Sequence, residues 1–191
     1  MDTQIITSVA MGIALSACCG FRVFVPMLGA SLAAYLQWYH LPADMEWMGS
    51  LPALIGFGTA AVLEIAAYYI PFVDNLLDAI ATPLAVAAGT VLAASFLPIA
   101  DFNPMLKWIL AIIAGGGAAG TVQAGTGLLR LFSSKTTAGV GNAVVATGEN
   151  AAAIGGTALT FVIPIVIAVL MVLLIGWIAA KLFGRVFKKT N

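Results

Sequence analysis

Four residues around Pro71 have the types and the spacing to do chemistry: Glu64 and Tyr68 before it, Asp74 and Asp78 after it. Residues four apart on a helix share a face, so each pair presents its oxygens in one direction. Two to four converging carboxylates suit a proton, a sodium ion or a divalent cation, all of which favour hard oxygen ligands. Asp74 and Asp78 also suit a plainer role. Asp74 is placed to cap the next helix, with Asp78 in its first turn, where the helix dipole favours anions. That role carries more weight for these two, which are read as shaping the cytoplasmic entrance of a site.

Glu64 and Glu149 stand deeper in apolar sequence, where an acid is costly to keep. They are the expected proton or cation sites. Arg22 is the one basic residue deep in an apolar run and needs a partner. It pairs with Glu64 or Glu149, or it holds an anionic substrate; the residues alone leave both open. Gln123 and Asn142 are expected to line the same cavity, although amides also bond neighbouring helices together.

The elements that carry these residues are set by composition. The 191-residue chain is 62% hydrophobic and 8% charged, against about a quarter charged for an ordinary soluble domain. It lacks the polar surface to coat a globule in water and reads as an all-α integral membrane protein, one transmembrane domain over residues 1–191. Zero net charge gives no nucleic-acid footprint. Cys18 and Cys19 are neighbours, about 100° apart on a helix, and read as small packing residues. With a single histidine, His40, no metal or cofactor is expected.

A helix needs about 20 apolar residues to cross a bilayer. Ile5–Leu36 exceeds that and is interrupted by Gly20, Arg22 and Pro26, which predicts one kinked or broken first span. The loop from Gln37 to Ser50 has Asp44 and Glu46, no Lys or Arg, and three interfacial aromatics, which marks it as external. Leu51–Ile70, Leu77–Leu97 and Trp108–Leu131 follow as spans. Thr136–Gly156 is too polar to face lipid and reads as an enclosed span or a re-entrant segment. Ala158–Ala180 reads as one continuous helix, with Pro164 as a bend. Arg130, Lys135 and the tail of Lys181, Arg185, Lys188 and Lys189 mark cytoplasmic ends. The expectation is six spans in an inner membrane, with both termini cytoplasmic.

Six spans divide into two halves, residues 1–100 and 101–191, of opposite orientation. Ala17-Cys-Cys-Gly20-Phe-Arg22 sets beside Gly117-Ala-Ala-Gly120-Thr-Val-Gln123, and Glu64 beside Glu149. Inverted three-helix repeats with broken helices are the architecture of many secondary transporters. Glu64, Pro71, Asp74 and Asp78, with Asn142 and Glu149-Asn150, also resemble the bacterial membrane proteins grouped as domain of unknown function 4126. The resemblance covers nearly the whole chain and implies the architecture without an activity. That family often has an Asp-Lys pair just before the proline; Tyr69-Ile70 stands there in this chain, so an ion pair from that lysine is absent.

The sequence therefore predicts a small secondary transporter or channel for an ion or small solute, with the bilayer and a proton or sodium ion as partners. Small-residue faces on the helices suggest a homodimer. The alternative is a structural or accessory membrane protein, in which Arg22, Glu64 and Glu149 form a closed network. An enzyme finds little support, because no nucleophile triad, zinc motif or dense acidic cluster is present.

Overall fold

The computed structural model describes residues 3–70, 73–98 and 102–187, apart from the side chains of residues 74, 75 and 183–187. Pro71, Lys188 and Lys189, and the side chains of Asp74 and Arg185, lie outside the described residues. The described chain is helical, with no strand. Its helices are α1 (Thr3–Cys18), α2 (Phe24–Tyr35), α3 (Leu51–Ala67), α4 (Val73–Phe96), α5 (Pro104–Ala111), α6 (Gly117–Thr137), α7 (Asn142–Val162) and α8 (Pro164–Phe187). A 3₁₀ turn, Ala43–Gly49, precedes α3, and a π turn, Ile112–Gly116, joins α5 to α6.

Three stretches are long and apolar enough to cross a membrane: Leu76–Phe96, Pro104–Thr137 and Pro164–Leu182. A fourth is added if the 3₁₀ turn and α3, bent by 61°, count as one span. The helix ends follow local chemistry. Ser50 caps α3 through its hydroxyl, and Asn103 caps α5 ahead of Pro104. The stop of α6 is a left-handed Ala138 followed by Gly139 at φ 90°, which turns the chain into α7.

The first apolar run is broken, as expected, rather than merely kinked. Its second half turns back. Cys19–Val23 breaks the helix, and α2 then runs antiparallel to α3: Glu64 meets Val23 and Phe24, Leu28 lies beside Gly58, and Ala34 beside Gly49. Along α1 the direction is opposite. Ala10 and Ala14 pack on Ile167 and Ala168, Ala17 on Met171 and Ile175, and Gly20 on Ala119 and Val122. The two ends of this hairpin meet again where Ser8 shares a 3.0 Å hydrogen bond with Tyr39. Pro26, expected as a kink, instead occupies the first turn of α2, where its missing N–H is not needed. Non-helical backbone in an apolar setting is tolerated only when buried in protein or lining a cavity. Here it is buried.

The chain between Ala158 and Ala180 also differs from the single helix expected. Ile163 leaves helical geometry and Pro164 starts a new helix, so α8 folds back along α7 and brings Met171 beside Gly156. The two small-residue stretches aligned as repeat partners are in fact packed on each other. A Cβ at Gly20 would sit 2.5 Å from that of Val122 and 2.6 Å from the Ala119 carbonyl oxygen. Their shared composition thus has a packing cause. The α5–α6 unit continues through its π turn without reversing, unlike α1–α2. Gly89 of α4 admits that turn, since a Cβ there would lie 2.6 Å from the Gly115 oxygen.

Candidate functional site

The hairpin tip carries Arg22 into a charged cluster inside the bundle. Arg22 is 1% exposed, Arg130 of α6 3% and Glu149 of α7 4%. In a hydrocarbon setting such groups persist only when paired. Arg22 Nη1 donates to Glu149 Oε2 at 2.6 Å, and Arg22 Nε to Asn150 Oδ1 at 2.6 Å. The carbonyls of Phe21 and Ala146 accept from its Nη1 and Nη2 at 2.8 and 3.2 Å. Arg130 grips the same carboxylate with both edges of a fork, Nε to Oε1 at 3.1 Å and Nη2 to Oε2. Its Nη1 reaches Asp78 Oδ1 of α4 at 2.5 Å. Both guanidinium carbons lie 4.0 Å from the centre of the Tyr68 ring, within cation–π range. Asn150 continues the chain by donating to the Tyr69 hydroxyl at 3.1 Å, which shares a 3.0 Å bond with Thr147.

Local structure explains the convergence. Arg130 stands seven residues before the end of α6 and Glu149 seven after the start of α7. At 1.5 Å per residue, each is about 10 Å inside the α6–α7 turn. Residues Glu149 and Asn150 are consecutive on α7, which lets them take separate donors of one guanidinium. The end of α3 supplies Tyr68 and Tyr69, and the first turns of α4 supply Asp78.

Glu64 is close by but does a different job. Its Oε1 accepts the Val23 N–H at 2.8 Å and its Oε2 the Phe24 N–H at 3.0 Å. The first residues of α2 have no side-chain cap of their own, so a carboxylate on α3 caps α2 from across the interface. Glu64 also lines a cleft of about 280 Å³ with Tyr68, Leu63, Leu77, Ile80 and Leu84, apolar but for these two side chains.

Of the residues expected to form the site, Arg22 and Glu149 touch and Asp78 joins them through Arg130. Asp78 is thus an ion-pair partner inside the cluster. The side chain of Asp74 lies outside the described residues. Gln123 is buried two turns before Arg130 on α6 and contributes no bond to the cluster. Asn142 bonds Ser134 across the α6–α7 turn, with Nδ2 to Oγ at 2.9 Å. In the sequence Arg130 stands out only as a cytoplasmic marker. Its signal was available: it lies seven residues from Gln123 on the same polar stripe, with Thr126 between them and Ser133 beyond.

A second, separate pair lies at the other end. Buried Lys107 of α5 reaches Asp44 at 2.6 Å and ties the 3₁₀ turn to the bundle.

Membrane-length apolar helices packed around a helical hairpin and a buried ion-pair cluster define a helical membrane protein. The chain belongs to the family described as Domain of unknown function (DUF4126), which matches residues 9–183. No curated protein and no solved structure matches it.

Proposed function

We propose that this chain is a small transporter or channel for an ion or small solute, with the Arg22–Glu149–Arg130–Asp78 cluster as its gate. The observation that carries the reading is the hairpin whose broken, charged tip ends inside the bundle. Discontinuous helices meeting charged side chains at depth are how many secondary transporters build a site. In this conformation the gate is closed, because each of its charges has a partner. Glu149, held by two arginines, is then the contact that must break for the gate to open, and Glu64 holds the tip in shape. The test is proton and sodium flux in proteoliposomes under imposed gradients, for wild type and Glu149→Gln. Wild-type flux that Glu149→Gln reduces to the level of empty vesicles supports the gate. No flux under any gradient defeats it.

The topology that goes with this reading has five crossings, α3, α4, α5–α6, α7 and α8, and a hairpin entering from one side only. Lys135 and Lys181, followed in sequence by further basic residues, stand at the end that holds the α6–α7 turn; Asp44 and Glu46 stand at the other. The positive-inside rule puts the turn end in the cytoplasm of a bacterial inner membrane. Thr3 is then external and the end of α8 cytoplasmic, in place of two cytoplasmic termini. An impermeant maleimide applied to intact cells is expected to label Thr3→Cys and to spare Lys135→Cys. Reversed labelling would sink this orientation, and labelling of both or neither would sink the odd number of crossings.

The structural reading keeps one observation in its favour. The cluster is fully paired, as a purely load-holding network would be. It predicts no flux, with Glu149→Gln merely less stable.

A further inference from the structure

We infer that the cleft between α3 and α4 binds a small cation with a hydrocarbon body, a short alkylammonium, whose charged end meets Glu64. Such binding goes beyond the transport reading and does not depend on it.

The cleft exists because α3 packs along α2 and stands apart from α4. Its floor is the start of α2, Val23 and Phe24. Its walls include Leu63 and Ala67 of α3 and Ile80 and Leu84 of α4. Leu63, Ile80 and Leu84 are exposed, so the cleft opens sideways at the rim between the two helices. In a bilayer that side faces lipid, a route that suits a ligand with an apolar body. A volume of about 280 Å³ stands at the small end of ligand sites, which calls for a short chain.

Charge decides what the end of that chain carries. Glu64 Oε1 and Oε2 each accept one backbone N–H, from Val23 and Phe24, and a carboxylate has about four lone-pair positions. The others can accept from a ligand. Glu64 is also coupled electrostatically to Arg22 and Arg130, and these two guanidiniums already pair with Glu149 and Asp78. Among the described side chains of this group, two cations therefore face three anions. The start of α2 adds only about half a positive charge. Negative charge stays in excess beside the cleft, which favours a cation and disfavours an anion. A bare metal ion does not fit, because it needs several oxygens to replace its water. No three acid, histidine or cysteine side chains converge on such a site among the described residues. An alkylammonium needs less. It brings three N–H donors to one carboxylate and its own chain to the apolar walls.

The probe is hexylammonium, with hexan-1-ol and hexanoate as comparators of the same chain, titrated calorimetrically into purified protein in detergent at pH 7.5. Wild type is expected to bind the ammonium at least about tenfold more tightly than the alcohol, the worth of one charge-assisted hydrogen bond. Hexanoate is expected not to bind. Glu64→Gln is expected to lose the preference for the ammonium and to keep its affinity for the alcohol. Ala67→Phe, which fills the cleft and keeps the carboxylate, is expected to lose both ligands. If one variant does not fold, the other decides together with the wild-type series. Equal binding of ammonium and alcohol by wild type overturns the site, as does binding of neither. Ammonium binding that survives in Ala67→Phe lies elsewhere on the protein and overturns it too. Ion flux in vesicles without ammonium binding overturns the site and leaves the transporter standing. Ammonium binding that follows Glu64, without flux of any ion, upholds the site and defeats the transporter.

Discussion

Glu149→Leu is expected to cost about 3–5 kcal/mol of stability, the range for removing one partner of a buried ion pair. The cost arises because Arg22 and Arg130, both nearly inaccessible, lose a shared acceptor and remain charged. Asp78 offsets part of it for Arg130, but the hydrogen-bond partners left to Arg22 are all neutral. The double variant Arg22→Met with Glu149→Leu removes one charge of each sign and leaves the Arg130–Asp78 pair neutral. It is expected to be more stable than Glu149→Leu alone, which additive effects do not allow. Thermal unfolding in detergent measures both. If Glu149→Leu unfolds with the wild-type protein, the two arginines have an alternative partner or water, and the cluster does not hold the bundle together.

How far the sequence could be read depended on whether a signal was local. The apolar runs, the interfacial aromatics around Trp38 and Trp47, and the need of Arg22 for a partner are properties of short stretches. They survive in the structure as membrane-length helices and a buried ion pair. The break at Gly20 to Pro26 was legible, but the reversal of the chain there was not, because these residues break a helix whichever way the chain leaves the break. Its direction is set by distant residues: Glu64 capping α2 and Ser8 meeting Tyr39. The same limit explains Arg130. Near a loop, a basic residue marks topology on average, and only the packing of α6 against α7 turns it inward. The likeness between the two small-residue stretches has a physical reason of its own. Two surfaces that must approach closely are both rich in Gly and Ala, so packing partners mimic sequence relatives.

The cap on α2 gives the second large effect and a way to watch the hairpin itself. Glu64→Leu orphans the Val23 and Phe24 N–H groups at a helix start with no other side-chain cap, and it removes the anion facing that dipole. Loss of a cap costs about 0.5–2 kcal/mol, and a partly buried charge–dipole contact up to about 2 kcal/mol. The tip is therefore expected to open by about 2 kcal/mol more readily, roughly 30-fold in population. The chain carries its own reporters, since Cys18 and Cys19 are fully buried on the residues that lead into the break. Maleimide modification of these thiols is expected to accelerate by a similar factor in Glu64→Leu. Glu64→Gln, which keeps one acceptor oxygen without the charge, should fall between the two. Unchanged labelling in Glu64→Leu would mean that the ion pairs of Arg22 alone fix the tip. The cap would then be dispensable, and any movement of the gate would have to begin at Glu149.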